Sequence, residues 1–393
     1  MKTKLLSIFT FLSFYSLSFG QQFIQRYADI ANQVSQTNIT NNLTQYEALG
    51  VKYRNTQALE DTYQWLVNKY IAYGYTQAQI TTDIYSYSGS TCKNIVVTKV
   101  GTLYPNTYVI VCGHYDSING TGTNDNGSGV VSILEIARLL QNVETEYSIK
   151  FINFSGEEDG LKGSQHYVSS IVNGTNPKMD IRLVFNLDEV GGVAGMTNNT
   201  ITCEKDASGT PSTNNAASAS MTNQLITCVS LYSPLQTVLA NAYASDYMPF
   251  EDNNEIITGF FETNETNHKH TATDLLVNMD PVYNFKVAKA ATGAVLHFAK
   301  ATTTLSNGDF EMDYHISFFP NPTKDSLQIN LGNLNVDYYD VLITDINGKS
   351  ALDKTFINPK LIESINIEGL AKGMYLATLS SGEKKISKKI VIE

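Results

Sequence analysis

Two adjacent glutamates, Glu157 and Glu158, lie in the stretch FSGEEDG and follow the apolar run 149–154. Neighbouring side chains on an extended or turning backbone point in different directions. One carboxylate can therefore hold a metal ion while the other faces a water molecule beside it. Metal-assisted hydrolysis requires this division, with a ligand for the Lewis acid and a base for the water's proton. The pair alone is weak evidence, because two adjacent glutamates are far more often solvated charges on a surface turn.

Further metal-binding side chains follow other strand candidates. In open α/β sheets, sites form outside the carboxyl ends of the strands, so we expect these side chains to converge at one sheet edge. Taken singly, each has an ordinary explanation, such as a buried histidine or an aspartate at a helix N-terminus. They are, in chain order, His114 and Asp116 in GHYDS, Asp125 in TNDNGSG, Asp188 in NLDEVG and His270 in NHKHTATD.

The candidate ligands are imidazoles and carboxylates, without cysteine. This set suits zinc, with manganese or cobalt as replacements. Two metal ions could be held if each had one histidine and one carboxylate of its own and both shared a further carboxylate. Such a two-metal site would carry a bridging water. His268 is a rival of His270 for the last ligand position.

The elements that must position these residues alternate between strands and helices. We predict strands at 94–100, 107–113, 148–154, 181–187 and 255–261, the first two forming a turn-linked pair. Helices are predicted at 23–34, 57–73, 128–141, 163–171, 225–239 and 281–303, and a surface excursion at 201–225. The expected fold class is α/β, a mostly parallel mixed sheet flanked by helices.

The pattern changes near residue 304 to short alternating strands with turn signals, which predicts a small all-β sandwich at 316–393. This tail has nine Lys and nine Asp plus Glu, so the net charge of -11 belongs to the preceding part. The acidic balance argues against nucleic-acid binding. The expected domains are a signal peptide (1–20), a catalytic domain (21–303), a linker (304–315) and the tail (316–393).

The signal peptide is predicted from Lys2 and Lys4, an apolar core and small residues near Gly20. No later stretch has the length and hydropathy of a transmembrane segment. Export implies an oxidising compartment, so the four cysteines could form two disulfides. A bond between Cys203 and Cys228 would staple the excursion, and a bond between Cys92 and Cys112 is possible but not assured, because the hairpin register brings the two only near each other. Both pairings stay open.

At these residues the chain resembles the co-catalytic dizinc aminopeptidases that include bacterial leucyl aminopeptidase. The resemblance covers about residues 45–300, through GHYDS, NDNGSG, FSGEEDG, NLD and HTATD in order. It implies two Zn²⁺ per chain, one held by His114, Asp125 and Asp188, the other by Asp125, Glu158 and His270. It also implies Glu157 as the general base and Asp116 as the carboxylate that orients His114.

The expected function is therefore a secreted exopeptidase that removes N-terminal residues from peptide substrates through a two-metal-activated water. Three alternatives stay open: a glutaminyl cyclase, a carboxypeptidase of the same clan, and a binding protein on an inactive scaffold. Intact His114 and Asp116 argue against a one-zinc cyclase. The acidic balance argues against a carboxypeptidase, which needs cationic groups to hold a C-terminal carboxylate.

The tail, with FFPNPTKDSL, ITDINGK and GMYL, resembles the C-terminal sorting domain of type IX secretion. This implies the type IX machinery as a partner, and localisation outside the cell or at its surface, via the periplasm. An immunoglobulin-like adhesion or carbohydrate-binding module is the alternative.

Glu189, next to Asp188, stands where leucine-preferring relatives carry an apolar residue. It either bonds the backbone of the Gly191–Gly192 turn, or meets the substrate's ammonium group or a basic first side chain.

Overall fold

The computed structural model describes residues 21–206, 210–303, 316–332, 336–345, 348–381 and 384–393. The chain divides into two compact units, Met1–Thr303 and Thr304–Glu393. The predicted signal peptide and linker lie outside the described residues. Among the described helices, none has the length and hydropathy needed to cross a bilayer.

The first unit alternates helices with strands. Its helices are α1 (Gln25–Ala31), α2 (Gln36–Ala48), α3 (Gln57–Ala72), α4 (Gly127–Leu140), α5 (Lys162–His166), α6 (Asn215–Tyr232), α7 (Met248–Asp252) and α8 (Pro281–Phe298). Its strands are β1 (Ile80–Tyr87), β2 (Ser90–Lys99), β3 (Tyr104–His114), β4 (Tyr147–Phe154), β5 (Asp180–Leu187), β6 (Thr200–Lys205), β7 (Gln236–Asn241) and β8 (Ile257–Glu262).

Side-chain caps define several helix starts. Thr56 accepts the Leu59 backbone N–H at α3, and Asn126 accepts the Gly129 N–H at α4. Asp280 caps α8 directly before a proline at the first helical position. Each cap satisfies backbone donors that the first helical turn leaves free.

The eight strands form one sheet in the order β1-β2-β4-β3-β5-β8-β6-β7. The central strands β4, β3, β5 and β8 run parallel to one another, β7 is parallel to β6, and the remaining pairs are antiparallel. The sheet is therefore mixed and mostly parallel, which confirms the predicted fold class.

Helices cover both faces of the sheet. Along β3, Val109 and Val111 pack into one core with α4, α6 and α8 residues, whereas Ile110 and Cys112 pack on the opposite face with residues such as Phe250. Successive strand residues point to opposite faces, so a central strand needs apolar side chains at nearly every position. This burial explains the continuous apolar runs in the sequence.

The register of β3 and β5 aligns two candidate ligands. Cys112 pairs with Asn186, and His114 and Asp188 each follow two residues later. Because the two strands are parallel, both side chains emerge from the same face at the carboxyl edge.

One prediction about β2 and β3 was wrong. They do not form a turn-linked pair, because β4 lies between them. Two strand spacings are about 10 Å, beyond the ~7 Å between Cα atoms that a disulfide tolerates, so Cys92 on β2 cannot reach Cys112 on β3. All four cysteines are free, buried thiols, including the candidate pair Cys203 and Cys228.

The surface excursion predicted at 201–225 was also wrong. This segment contains β6, which lies inside the sheet between β8 and β7, and the first part of α6. The predicted helix at 225–239 ends at Tyr232 and is followed by β7. Strands β6 and β7 have only six residues each, so the sequence carries little strand pattern there, and their pairing with neighbouring strands decides their conformation.

The second unit has two antiparallel sheets, β13-β10-β9 and β12-β11-β14-β15. Leu327 and Ile329 of one sheet share a core with Val341, Ile343 and Leu379 of the other. The strands are β9 (Ser317–Phe319), β10 (Ser326–Asn330), β11 (Tyr338–Asp345), β12 (Ser350–Ile357), β13 (Ile362–Asn366), β14 (Gly373–Ser381) and β15 (Lys384–Ile392). The alternating pattern thus forms the expected sandwich.

Candidate metal centre

The first group of candidate ligands is His114, Asp125 and Asp188. His114 Nε2 lies 3.2 Å from Asp125 Oδ1 and 3.4 Å from Asp188 Oδ1. All three residues are buried. Their ligand atoms lie within 4.8 Å of one another, close enough to hold one metal ion.

The second group is Asp125, Glu158 and His270, and it shares Asp125 with the first. His270 Nε2 lies 3.1 Å from Asp125 Oδ2 and 3.1 Å from Glu158 Oε2. The two oxygens of Asp125 therefore face different histidines. The rival His268 uses Nδ1 to bond Thr273 Oγ1 at 2.7 Å.

Asp125 is held by its backbone. The carboxylate of Asp274 accepts the N–H groups of Asn124 at 2.8 Å and of Asp125 at 3.1 Å. The side chain of Asn126 donates to the Leu187 carbonyl at the end of β5, at 2.9 Å, while it caps α4. The loop before α4 is thereby tied to the strand that precedes Asp188.

Asp116 lies directly beneath the glutamate pair. Its Oδ1 accepts the Glu157 backbone N–H, and its Oδ2 accepts the Glu158 N–H, both at 3.2 Å. The same carboxylate is 3.7 Å from His114 Nδ1, which is closer to the Asp116 carbonyl, at 3.2 Å. The Asp116 carboxylate thus positions both glutamates, and its backbone carbonyl faces the histidine.

The buried carboxyl groups of the centre would be stabilised by added positive charge. Burial raises the pKa of Glu158 to about 8 and that of Asp116 to about 6. Burial and the carboxylates of Asp188 and Asp116 raise the pKa of Glu157 well above its ordinary value, against the opposing charge of His114. Buried carboxylates at this density are unfavourable without cations.

The residues present fit zinc. Asp188 Oδ2 accepts a hydrogen bond from Ser245 Oγ at 2.5 Å, whereas its buried Oδ1 has no hydrogen-bond donor among the described residues. That unsatisfied oxygen belongs to the first group, where a metal ion would satisfy it. Imidazole nitrogens with carboxylate oxygens are a donor set that zinc accepts.

A cavity of about 470 Å³ opens beside the two ligand groups. Glu157 lines it but belongs to neither group. Glu204 and Tyr247 line another part of its wall. The candidate ligands and these two residues therefore line one cavity, in which a bound molecule could lie.

Glu189 also lines this cavity. Its Oε1 lies 3.4 Å from Lys269 Nζ, and its buried Oε2 has no hydrogen-bond donor among the described residues. Its carboxylate does not bond the turn at 191–192, because Asn124 Oδ1 and Glu262 Oε2 accept those two N–H groups.

Three contributors to the site were not predicted from the sequence. Asp274 stands in the pattern HTATD, so its position after a histidine candidate was a usable signal. Glu204 lies in a segment without a strand-like pattern, and Ser245 follows another such segment. Neither residue therefore had a comparable signal in the sequence.

Comparison with protein-family models gives two matches. The model described as Peptidase family M28 matches residues 94–295, and the model described as Secretion system C-terminal sorting domain matches residues 317–393.

Several curated proteins and solved structures are also similar to this chain. Aminopeptidase YwaD of Bacillus subtilis (strain 168) is 38% identical over 117 residues, which are 29% of this chain and 25% of that protein. The chain thus spans a quarter of that relative's length. The LapA aminopeptidase of Legionella pneumophila has a TM-score of 0.61 at 20% identity, over 76% of this chain and 80% of that one. A Bacteroides thetaiotaomicron glutaminyl cyclase bound to N-acetylhistamine has a TM-score of 0.54 at 17% identity, over 67% of this chain and 98% of that one. At these identities the solved structures show a shared fold.

Proposed function

The chain belongs to peptidase family M28, and from this premise we propose that it is a secreted zinc-dependent exopeptidase that hydrolyses N-terminal residues from peptides. The observation that carries the proposal is the position of Asp125 between two histidines, at 3.2 Å from His114 Nε2 and 3.1 Å from His270 Nε2. A carboxylate shared in this way is what a two-metal hydrolytic site requires.

The proposal assigns two Zn²⁺ per chain. His114, Asp125 and Asp188 would hold one ion, and Asp125, Glu158 and His270 the other. When bound, zinc supplies Lewis-acid polarisation of the scissile carbonyl and lowers the pKa of water.

Glu157 is the proposed general base. It accepts a proton from the attacking water as the water oxygen bonds to the carbonyl carbon, and it delivers that proton to the amine nitrogen as the C–N bond breaks. Its position supports this role, because it lines the cavity next to both ligand groups without belonging to either. Asp116 supports it by holding the Glu157 backbone N–H at 3.2 Å.

The alternatives make different predictions. The fold is shared with a glutaminyl cyclase, so fold alone does not choose between cyclisation and hydrolysis. A complete second ligand group around Asp125 favours the hydrolase over a one-metal cyclase. The described cavity wall has one lysine among several carboxylates, which disfavours a carboxypeptidase that must hold a C-terminal carboxylate.

The tail match supports export of this enzyme by type IX secretion, to the medium or the cell surface. Within the proposal, residues 1–20 are a signal peptide that leads through the periplasm, and residues 21–303 are catalytic. Residues 304–315 link this part to the sorting domain at 316–393.

One experiment separates these functions. The full chain would be loaded with zinc and assayed on aminoacyl p-nitroanilides, on peptides with a free C-terminus and on N-terminal glutaminyl peptides, with and without a chelator. We expect chelator-sensitive release of the first residue and two zinc ions per chain by elemental analysis. Pyroglutamate formation, release from the C-terminus, or zinc binding without turnover would each reject the proposal for one named alternative.

A further inference from the structure

Glu204 reaches the cavity from β6. It pairs with Gly259 on β8, and Gly259 pairs with Asn186 on β5, two residues before Asp188. Paired residues share a sheet face, so Glu204 points to the same face as Asn186 and Asp188, and it lies about 10 Å from Asn186 across two strand spacings. The cavity lies over this face and is lined by both carboxylates.

The carboxyl group of Glu204 is held in place, but the chain pairs no cation with it. Tyr247 Oη donates to its Oε2 at 2.7 Å, and the Tyr243 backbone N–H donates to Tyr247 Oη at 2.9 Å. Glu204 is 6% exposed, and burial raises its pKa to about 8. Among the described residues, no lysine, arginine or histidine forms an ion pair with it.

Gly259 makes this arrangement sterically feasible. A Cβ atom built there would lie 2.7 Å from Tyr247 Cε1 and 2.9 Å from Glu204 Oε2. Any larger residue would displace the tyrosine ring or the carboxylate. The absence of a side chain at 259 therefore keeps both groups at the cavity wall.

The contrast with Glu189 is informative. Glu189 Oε1 lies 3.4 Å from Lys269 Nζ, so the chain itself supplies a cation to that oxygen, although Lys269 also pairs with Glu265. The hydrogen bond that Glu204 accepts from Tyr247 comes from a neutral hydroxyl. A buried carboxylate at a cavity wall is stabilised when a ligand brings a cation to it.

We infer that Glu204 is the specificity residue of this enzyme and binds the cationic end of a lysine or arginine side chain at the first position of the substrate. The inference rests on the proposed function and names its substrate class. The aliphatic stem of such a side chain would lie along the apolar part of the wall, which includes Phe261 and Ala240, while its charged end meets Glu204. A leucine side chain would leave the carboxylate without a cation.

The test compares lysine with norleucine, which has the same stem without the amine. The zinc-loaded full chain would be assayed on the p-nitroanilides of Lys, Arg, norleucine and Leu. We expect kcat/KM for Lys to exceed that for norleucine by ~10- to 100-fold, the range of a hydrogen bond between charged groups. This measurement on the wild type needs no folded variant.

The variant Glu204→Gln keeps the size of the side chain and an oxygen that can accept from Tyr247. We expect it to reduce the Lys to norleucine ratio to within about threefold of unity, because the ion pair is lost. Glu255→Gln is the matched control. Glu255 is also 6% exposed, but it lies outside the cavity and pairs with Lys178 at 2.6 Å. In Glu255→Gln, the ratio of kcat/KM for Lys over norleucine should equal that of the wild type.

The failures are distinguishable. If the zinc-loaded chain hydrolyses none of the four substrates, the proposed function fails and this inference with it. If it hydrolyses them with norleucine at or above lysine, only the Glu204 assignment fails. The Glu204 assignment also fails if Glu204→Gln folds, as judged by an unchanged thermal midpoint, and keeps the lysine preference.

Discussion

Asp274 Oδ2 accepts the backbone N–H of Asp125 at 3.1 Å, and Asp125 is the residue shared by both candidate ligand groups. A carboxylate that belongs to neither group therefore positions the centre of the site. Its other oxygen holds the preceding N–H of Asn124 at 2.8 Å.

Asp274→Ala should weaken zinc at both positions, because it frees the backbone that carries the shared ligand. Loss of such a supporting partner typically costs ~10- to 100-fold in metal affinity. The measurement is zinc content after dialysis against graded chelator concentrations. Selective loss of a single ion would show that Asp274 does not act through Asp125.

Glu157→Gln and Glu158→Gln should separate base from ligand. Glu157→Gln is expected to keep both zinc ions and to lose ~10²–10⁴-fold in kcat, the range for general-base removal. Glu158→Gln should bind one ion more weakly and recover part of its activity in excess zinc. Elemental analysis and turnover on the same samples decide the assignment, and the opposite pattern of zinc loss would reverse the two roles.

Glu189→Met should lower kcat/KM for Lys, Arg and Leu substrates by a similar factor. We expect Glu189 to face the substrate's ammonium group, which every aminoacyl substrate carries, with an effect of ~1–3 kcal/mol. A loss confined to Lys and Arg would assign the basic side chain to Glu189. If Glu204→Gln then left the ratio of kcat/KM for Lys over norleucine unchanged, the inference about Glu204 would be overturned.

A chain that ends at residue 315 should keep the peptidase activity of the full chain within about twofold. The reason is that the two units have separate hydrophobic cores. Without the sorting domain we expect the enzyme to stay in the periplasm. Cell fractionation with an activity assay tests both parts, and normal release into the medium would contradict the second.

His297 should make the first unit less stable in acid. Burial lowers its pKa to about 4, and its Nε2 lies 2.7 Å from Tyr232 Oη, with the Tyr27 ring edge-on. Between this value and the ordinary pKa of ~6.5, the unfolded chain binds more protons than the folded one. The contribution of His297 to the free energy of unfolding is therefore present above ~6.5 and is lost as the pH falls towards 4.

The check is urea unfolding of metal-free wild type and His297→Gln at pH 7 and pH 5. The variant should lose less stability between the two pH values than the wild type does. Equal losses would show that other groups cause the acid sensitivity.

Much of the candidate centre could be predicted because several of its residues follow the ends of apolar strands, which are recognisable in the sequence. His114 ends the apolar strand β3, Asp188 directly follows β5, and parallel strands end at one edge. Because Cys112 pairs with Asn186, the side chains of His114 and Asp188 lie at the same level of the sheet. Strand lengths alone could not specify this register.

The wrong predictions share one cause, which is that local patterns do not report strand order. The predicted turn-linked pair of β2 and β3 requires strands adjacent in sequence to be adjacent in the sheet, yet β4 lies between them. The segment 201–225 has no apolar periodicity and therefore resembles an excursion, yet β6 is held by β8 on one side and β7 on the other.

The sequence by itself determined the ligand types, their order and the alternation of strands and helices, because each of these depends on residues close along the chain. Tertiary structure alone decided that Asp274 supports Asp125, that Lys269 approaches Glu189, and that Glu204 lines the cavity. The first two of these contacts join residues 149 and 80 positions apart. The physical reason is that strand order and side-chain contacts across a sheet draw their free energy from the whole buried core, whereas a local pattern reports only which face of its own element is apolar.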